Sequence, residues 1–340
     1  MENILHLALS GLVGILGTIF QAVFLSVIVH ELGHLFFGLR TGYKFLSFRV
    51  ASWVWHKEDG IIKFARSKSV VAGQCLMTPP EDVNNFKFVW YNLGGGLFNF
   101  AFALVWLLAL IPTGPSGYLR VFIFIGFIIN LYMAIINLLP VIVAGLPVDG
   151  RNIYTALKSE EARRGFHTML HVNSEMAKGK RYSDFNRSLF ALDAGADINN
   201  YFVAWLVMLD ASRLQDLGEY EKSFLRYSSL SLDKLPGAYR NAIMLNQLYY
   251  HTVYRQDLVE AAAIFNDKKI NIIVTQSKTI DYSWVIAAYE YFGLRNKQKA
   301  LKTLARAKKA AEVHPNRGER LVIKDELARV ESLINAADMI

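Results

Sequence analysis

The sequence predicts an α-helical integral membrane protein of three spans, with a small membrane-associated β-sheet between the first two and a soluble all-α helical-repeat domain after the third. Three observations predict this. Three apolar stretches are long enough to cross a bilayer, which takes about 20 helical residues. Charge is unevenly divided: residues 1–150 hold nine Lys/Arg and seven Asp/Glu, while the remaining 190 hold 28 and 22. After about residue 158 the apolar runs give way to amphipathic helical spacing.

The first span, Ile4–Leu39, is too long for a minimal crossing and too short for a helical hairpin, so it reads as one long, tilted helix. A β insert over 43–78 follows. Tyr43–Val50, Ala51–Trp55, Ile61–Ala65 and Ser69–Met77 are rich in aromatic and β-branched residues, with Lys57-Glu58-Asp59-Gly60 as a turn. Trp53 and Trp55 suit a sheet lying at the bilayer interface. The second span covers about 86–111. The third starts near Leu119 and runs to Leu139, with its apolar character persisting to 146. Pro112, Gly114, Pro115 and Gly117 mark a tight turn between them. The membrane core is therefore expected over 1–157.

Residues 158–340 read as helical hairpins. Leu217-Gly218-Glu219-Tyr220, then Ser223 and Tyr227, resembles the turn and second helix of a tetratricopeptide repeat. Small residues recur at Ala261 and Ala300, each after an aromatic-rich helix. About three stacked hairpins are expected, with an irregular helical bundle as the alternative.

Segment 40–85 carries seven of the nine basic residues of the first half, and the 112–118 turn carries none. The positive-inside rule thus puts 40–85 and the C-terminal domain in the cytoplasm and the N-terminus outside. A net charge of +8 raises nucleic acid as a partner, but the basic residues are not gathered into a patch interleaved with aromatics, so none is expected. Glu2 and the length of the first apolar run argue against a cleavable signal peptide. One cysteine, Cys75, excludes an intramolecular disulfide and leaves metal chemistry to histidines and carboxylates.

The chemistry gathers at His30-Glu31-Leu32-Gly33-His34. Between Ile4 and Leu39 the ionisable side chains are His6, His30, Glu31 and His34 alone. Such groups are costly in lipid and read as functional. Histidines four apart share a helix face and can bind one Zn²⁺, with the intervening glutamate placed to take a proton from an attacking water. On the predicted topology the pair lies about 9–15 Å below Arg40, within reach of cytoplasmic water. A third ligand is needed, and Asp149, just past the third span at comparable depth, is the candidate. Pro140, Gly145 and Pro147 break the helix before it. The bland reading of Asp149-Gly150 is a turn leaving the membrane.

HELGH in the first span, Gly95-Gly96-Leu97-Phe98-Asn99 in the second and Asn137-Leu138-Leu139-Pro140 leading to Asp149-Gly150 in the third together resemble the site-2 protease family of intramembrane zinc metalloproteases, over about residues 10–155. The resemblance implies one Zn²⁺ per chain on His30, His34 and Asp149, Glu31 as general base, and Asn99 and Asn137 as substrate-binding or oxyanion groups. It also implies a transmembrane protein or peptide substrate and a cell membrane of bacterial type. Two departures stand out. The path from Asn137 to Asp149 is longer than is usual in the family, by a segment around Val141–Gly145 that either loops out or shifts the ligand. Arg151 also replaces a glycine often found after the Asp-Gly pair.

The histidines at 167 and 171 lack a following glutamate and read as solvated surface, and His56, His251 and His314 belong to no constellation. The expected activity is hydrolysis of a peptide bond in or near a transmembrane segment, with the helical repeats holding a cytoplasmic partner. A catalytically silent membrane scaffold is the alternative. A transporter is disfavoured by three spans without internal repeats.

Overall fold

The computed structural model describes residues 2–111, 117–276 and 280–337, with side chains described from residue 11 onward and outside 67–71. Helix α1 (Glu2–Arg40) is a single 39-residue helix, as its unbroken apolar run requires. Strands β1 (Lys44–Glu58) and β2 (Ile61–Thr78) follow, then α2 (Phe88–Leu110) and α3 (Gly117–Leu138). All three helices are long and apolar enough to cross a membrane. The expected turn at 112–118 lies outside the described residues except for its end, where Gly117 has φ +62°.

The β insert differs from the several short strands expected. It is one two-stranded hairpin, and Leu46, Val50 and Val54 are buried along β1. Asp59 (φ +52°) and Gly60 (φ +84°) form the turn, and two consecutive left-handed residues are what a tight hairpin turn demands. In mid-β1 Ala51 also has φ +51°, so the strand bends there instead of ending.

In the third span only the apolar extension to 146 needs correction. Its helix stops at Leu138, at the expected Leu139 bound, and does not take in the apolar residues on to 146. Pro140 disfavours helix at the residue before it, and the apolar residues beyond have another use. They form a miniature hairpin, β3 (Ile142–Val143) and β4 (Leu146–Pro147), turning through Ala144 (φ +51°) and Gly145 (φ +82°). The Val148 amide donates to the Val141 carbonyl at 3.3 Å. The extra residues are therefore looped out, and the chain resumes at Asp149 close to where it left α3.

The chain divides into two compact units that differ from the expected split at 157/158. The first comprises Met1–Ala51, Val71–Val143 and Pro147–Tyr154. The second comprises Ser52–Val70, Ala144–Leu146 and Thr155–Ile340, so the distal half of the β1–β2 hairpin belongs to it. Within this second unit Arg317 holds the hairpin turn. Its Nε donates to Glu58 Oε1 at 2.8 Å, and its guanidinium also pairs with Asp59 Oδ2 at 2.8 Å.

The second unit is otherwise helical. Helix α4 (Asp149–Ala156) begins in the first unit, and α5 (Glu160–Ala177) and α6 (Tyr201–Asp216) follow in the second. Next come α7 (Tyr220–Ser228), α8 (Gly237–Val253), α9 (Leu258–Phe265) and α10 (Lys268–Gln276). The chain ends with α11 (Ser283–Ala288), α12 (Lys297–Ala311) and α13 (Arg317–Ala337). Helices α6–α7, α8–α9 and α11–α12 pack as pairs. Ser223, Ala261 and Ala300 are buried on the second helix of each pair. The regular stacking expected is interrupted by α10 and by a π turn at Tyr289–Gly293. One core joins Leu245, Leu248, Ile286, Leu304 and Leu327, all nearly or fully buried. Helix α13 returns to pack on α5, bringing the two ends of the helical array together.

Candidate metal centre

The site lies wholly within the first unit and is built where two helices meet backbone to backbone. A Cβ on Gly33 would fall 2.1 Å from the Gly94 carbonyl oxygen, and one on Gly94 would fall 2.4 Å from that of Gly33. Only glycine at both positions lets α1 and α2 approach this closely. One residue on, a Cβ at Gly95 would sit 2.4 Å from the His30 ring, so this glycine clears the space the imidazole occupies.

His30, His34 and Asp149 converge. His30 Nε2 lies 3.1 Å from His34 Nε2, and Asp149 Oδ2 lies 3.2 Å from the first and 3.3 Å from the second. Among the described residues these three form the group able to hold a metal ion. All three are more than four-fifths enclosed, with side-chain exposures of 9%, 9% and 16%.

The hydrogen bonds behind the rings decide what the three atoms present. His34 Nδ1 lies 2.7 Å from the Tyr91 carbonyl, which can only accept, so Nδ1 carries the proton. His30 Nδ1 lies 2.9 Å from Asn99 Oδ1. The Asn99 amide is oriented by its own partners, since Nδ2 donates to the Ser26 carbonyl (2.9 Å) and to Asn130 Oδ1 (3.0 Å). Asn130 Nδ2 in turn donates to the Gly126 carbonyl, which leaves its Oδ1 facing Asn99. The orientation of the whole chain follows from this network. With each Nδ1 engaged behind its ring, both imidazoles turn Nε2 toward the buried Asp149 Oδ2.

Three such atoms so close can share a proton as a histidine–aspartate pair or surround a metal ion. Two ligands bound to one zinc at about 2.0–2.1 Å in tetrahedral geometry stand about 3.3–3.4 Å apart. The observed 3.1–3.3 Å matches that spacing, and a two-histidine, one-carboxylate set suits zinc. The residues present fit the metal.

Asp149 owes its place to local chemistry. The closure of Val141 on Val148 returns the chain, and Gly150 packs where a Cβ would meet the Leu138 carbonyl at 2.3 Å. Asn152, one turn into α4, reaches the buried Asn92 of α2 at 3.4 Å. Glu31 is buried and is not one of the three converging groups. Strand β2 covers it: a Cβ at Gly73 would fall 2.5 Å from Glu31 Oε1.

The two asparagines part company. Asn99 is fully buried, and its oxygen and both amide hydrogens are engaged, so it has no donor left for a substrate. It orients His30 instead. Asn137 donates to the Met133 carbonyl of its own helix, and no contact described joins it to the three ligands. Sequence reasoning passed over Tyr91, whose carbonyl orients His34 and whose hydroxyl donates to the Cys75 carbonyl at 2.6 Å, tying β2 to the site. It also passed over Asn92 and Asn130. These are asparagines buried in apolar helices, and that was the one available signal. Outside the site, His167 is buried and its ring stacks on that of His171, so the pair is not the solvated surface expected.

No protein-family model, no curated protein and no solved structure matches this chain.

Proposed function

We propose that the chain is an intramembrane zinc metalloprotease that hydrolyses a peptide bond in or near a transmembrane segment of a protein or peptide substrate. One observation carries the reading. Two imidazole nitrogens and one carboxylate oxygen converge beside a buried glutamate, on a helix apolar enough to cross a membrane.

His30, His34 and Asp149 would hold the ion, with Asn99 and the Tyr91 carbonyl keeping the two rings aimed. When bound, zinc supplies a Lewis acid that polarises the scissile carbonyl and acidifies water. Glu31 takes the proton as water attacks and delivers it to the leaving nitrogen. A transmembrane helix hides its carbonyls in internal hydrogen bonds, so the substrate must be locally unwound. Hairpin β1–β2 passes over Glu31 and can hold an extended peptide by strand addition. The sidedness read from charge, with 40–85 and the helical unit in the cytoplasm, gives water a path to the site. The helical unit binds a soluble partner or the cytoplasmic part of the substrate.

The test is cleavage of a model transmembrane substrate by the reconstituted wild type and by Glu31→Gln, with metal content measured on both. The expected result is one zinc per chain in each, and a rate at least about 1,000-fold lower in the variant, comparable with loss of a principal catalytic group. Equal cleavage by the two removes Glu31 from the chemistry. A wild type that binds zinc but cuts no transmembrane substrate leaves the scaffold reading in its place.

A further inference from the structure

The helical unit has a cavity of its own, of about 1040 Å³, between the 3₁₀ turn at Arg187–Phe190, α6 and α7. Small-ligand sites run to about 1,000 Å³, so this one has room for a short peptide. One face of α7 forms a wall, because Glu219, Lys222, Arg226 and Ser229 recur at helical spacing, while Ser223 and Tyr227 turn to the core. Asp210, Arg213 and Leu214 form the facing wall on α6, with Leu217 at its end.

Charge in this cavity is unbalanced. Arg187, Arg213, Lys222 and Arg226 line it against two carboxylates, Asp210 and Glu219. Both carboxylates are already answered: Arg226 Nε donates to Asp210 Oδ2 at 3.1 Å, and Lys222 Nζ lies 2.6 Å from Glu219 Oε2. The Asp210 side chain is 6% exposed, so its charge lies within the wall and not at the opening. Two guanidinium groups are left over. Arg213 Nε donates to the Phe185 carbonyl at 2.9 Å, which fixes the side chain without neutralising it. Among the described residues no carboxylate lies within 4.0 Å of Arg213 or of the exposed Arg187. Both act on Glu219 from beyond that distance, so three cations share this one carboxylate. Leu217 and Leu225 line the same cavity and are 46% and 61% exposed. Unspent positive charge beside uncovered aliphatic surface is complementary to a partner that is both acidic and apolar.

We propose that this cavity docks an acidic peptide segment, with a carboxylate on Arg187 and Arg213 and an aliphatic side chain over Leu217 and Leu225. A guanidinium presents parallel N–H donors to a carboxylate, and such charge-assisted contacts are among the stronger ones. A peptide fits better than a uniformly anionic surface, because Glu219, its side chain 39% exposed, stands in the same wall and repels charge spread everywhere. A peptide can set its carboxylate at the arginines and an uncharged residue beside Glu219. The net charge of +8 on the whole chain favours the approach of such a ligand. This assignment rests on the partner-binding role proposed for the helical unit and on nothing at the metal centre.

The experiment is calorimetric titration of the full chain in phosphatidylcholine nanodiscs with acetyl-Asp-Leu-Glu-Leu-Asp-amide and with acetyl-Asn-Leu-Gln-Leu-Asn-amide, which keeps the shape and loses the charge. The expected result is saturable binding of one acidic peptide per chain, at least about tenfold tighter than the amide peptide, consistent with loss of charge-assisted contacts. Arg187→Gln should weaken the acidic peptide by about fivefold or more and leave the amide peptide unchanged. Leu225→Ser should weaken both alike. Equal affinity of the two peptides overturns the proposal, as does the absence of saturable binding at millimolar peptide. So does a full acidic preference in Arg187→Gln/Arg213→Gln whose circular dichroism matches wild type. Should that double variant misfold, Arg187→Gln decides the matter alone, since its side chain is exposed. Binding that vanishes in nanodiscs containing phosphatidylserine would show the anionic lipid surface to be the occupant, and overturns the proposal too. Metal chelation leaves all of these values unchanged, so failure here and failure of the protease reading are told apart.

Discussion

Glu326 in the helical unit and Asp149 in the first unit are both enclosed carboxylates, and their surroundings differ in kind. Glu326 is 4% exposed, and the atoms around it are donors: Gln215 Nε2 at 3.0 Å, Tyr220 OH at 3.3 Å and Tyr249 OH at 3.1 Å. Burial pushes its carboxyl up, and these donors oppose that shift. Asp149 Oδ2 has around it the Nε2 atoms of two imidazoles, at 3.2 and 3.3 Å. Glu290 follows the first pattern, accepting from Thr303 at 2.7 Å with Lys299 Nζ at 3.2 Å. A self-satisfied polar cluster holds helices together. The His30, His34 and Asp149 group instead brings together three potential ligand atoms that could hold a metal ion.

This contrast can be tested from both sides. The largest effect is expected from Asp149→Ala, which should lower zinc from one per chain to a trace by elemental analysis while leaving the far-ultraviolet circular dichroism of the helical unit intact. Retention of stoichiometric zinc would break the comparison at once. Glu326→Ala removes the acceptor shared by three buried donors. It should destabilise the helical unit by about 2–3 kcal/mol in denaturant unfolding, the cost of leaving such groups unpaired, with zinc unaffected. A smaller change is expected from Asn99→Ala. It frees the His30 ring without removing a ligand, and zinc affinity measured by competition with a chelator should fall about 10–100-fold.

The smallest effect concerns the hairpin turn of the helical unit. Lys63 and Arg317 hold the Glu58 carboxyl down, from its ordinary 4.5 to about 2. A depressed carboxyl contributes above its unfolded value and loses that contribution as pH falls through the folded one. The anchoring of the turn should therefore be complete above about pH 5 and lost progressively toward pH 2. Arg317→Ala should reproduce the acid state at neutral pH. Hydrogen exchange would show faster amides near 52–66, with the global unfolding midpoint unmoved.

Much of the membrane core was legible because its signals are local. Apolar length marks the three helices, the four-residue spacing of His30 and His34 marks a shared face, and Asp59-Gly60 marks a hairpin. Asp149 was reachable through its depth after the third span and through family resemblance. The groups that complete the site were not legible. A backbone carbonyl such as that of Tyr91 leaves no trace in composition. The Asn99–Asn130 bond depends on how two helices are rotated about their axes, which their sequences do not specify. The miniature hairpin escaped because Pro140, Gly145 and Pro147 mark the end of the helix, but nothing in Val141, Ile142, Val143 and Leu146 says that the residues between them pair as strands. In the helical unit the small residues at 223, 261 and 300 marked where helices meet.

The mutual contact of Gly33 and Gly94 bears on access to the candidate metal centre. With the two main chains touching at Gly33 and Gly94, a guest polypeptide cannot slide between them at that point of the seam. Widening it would mean prising apart the very helices that carry the ligands and their supports. Any visitor bound for the three converging atoms has to enter by a different face, and a bulkier residue at either glycine would wedge the scaffold open before it admitted anything.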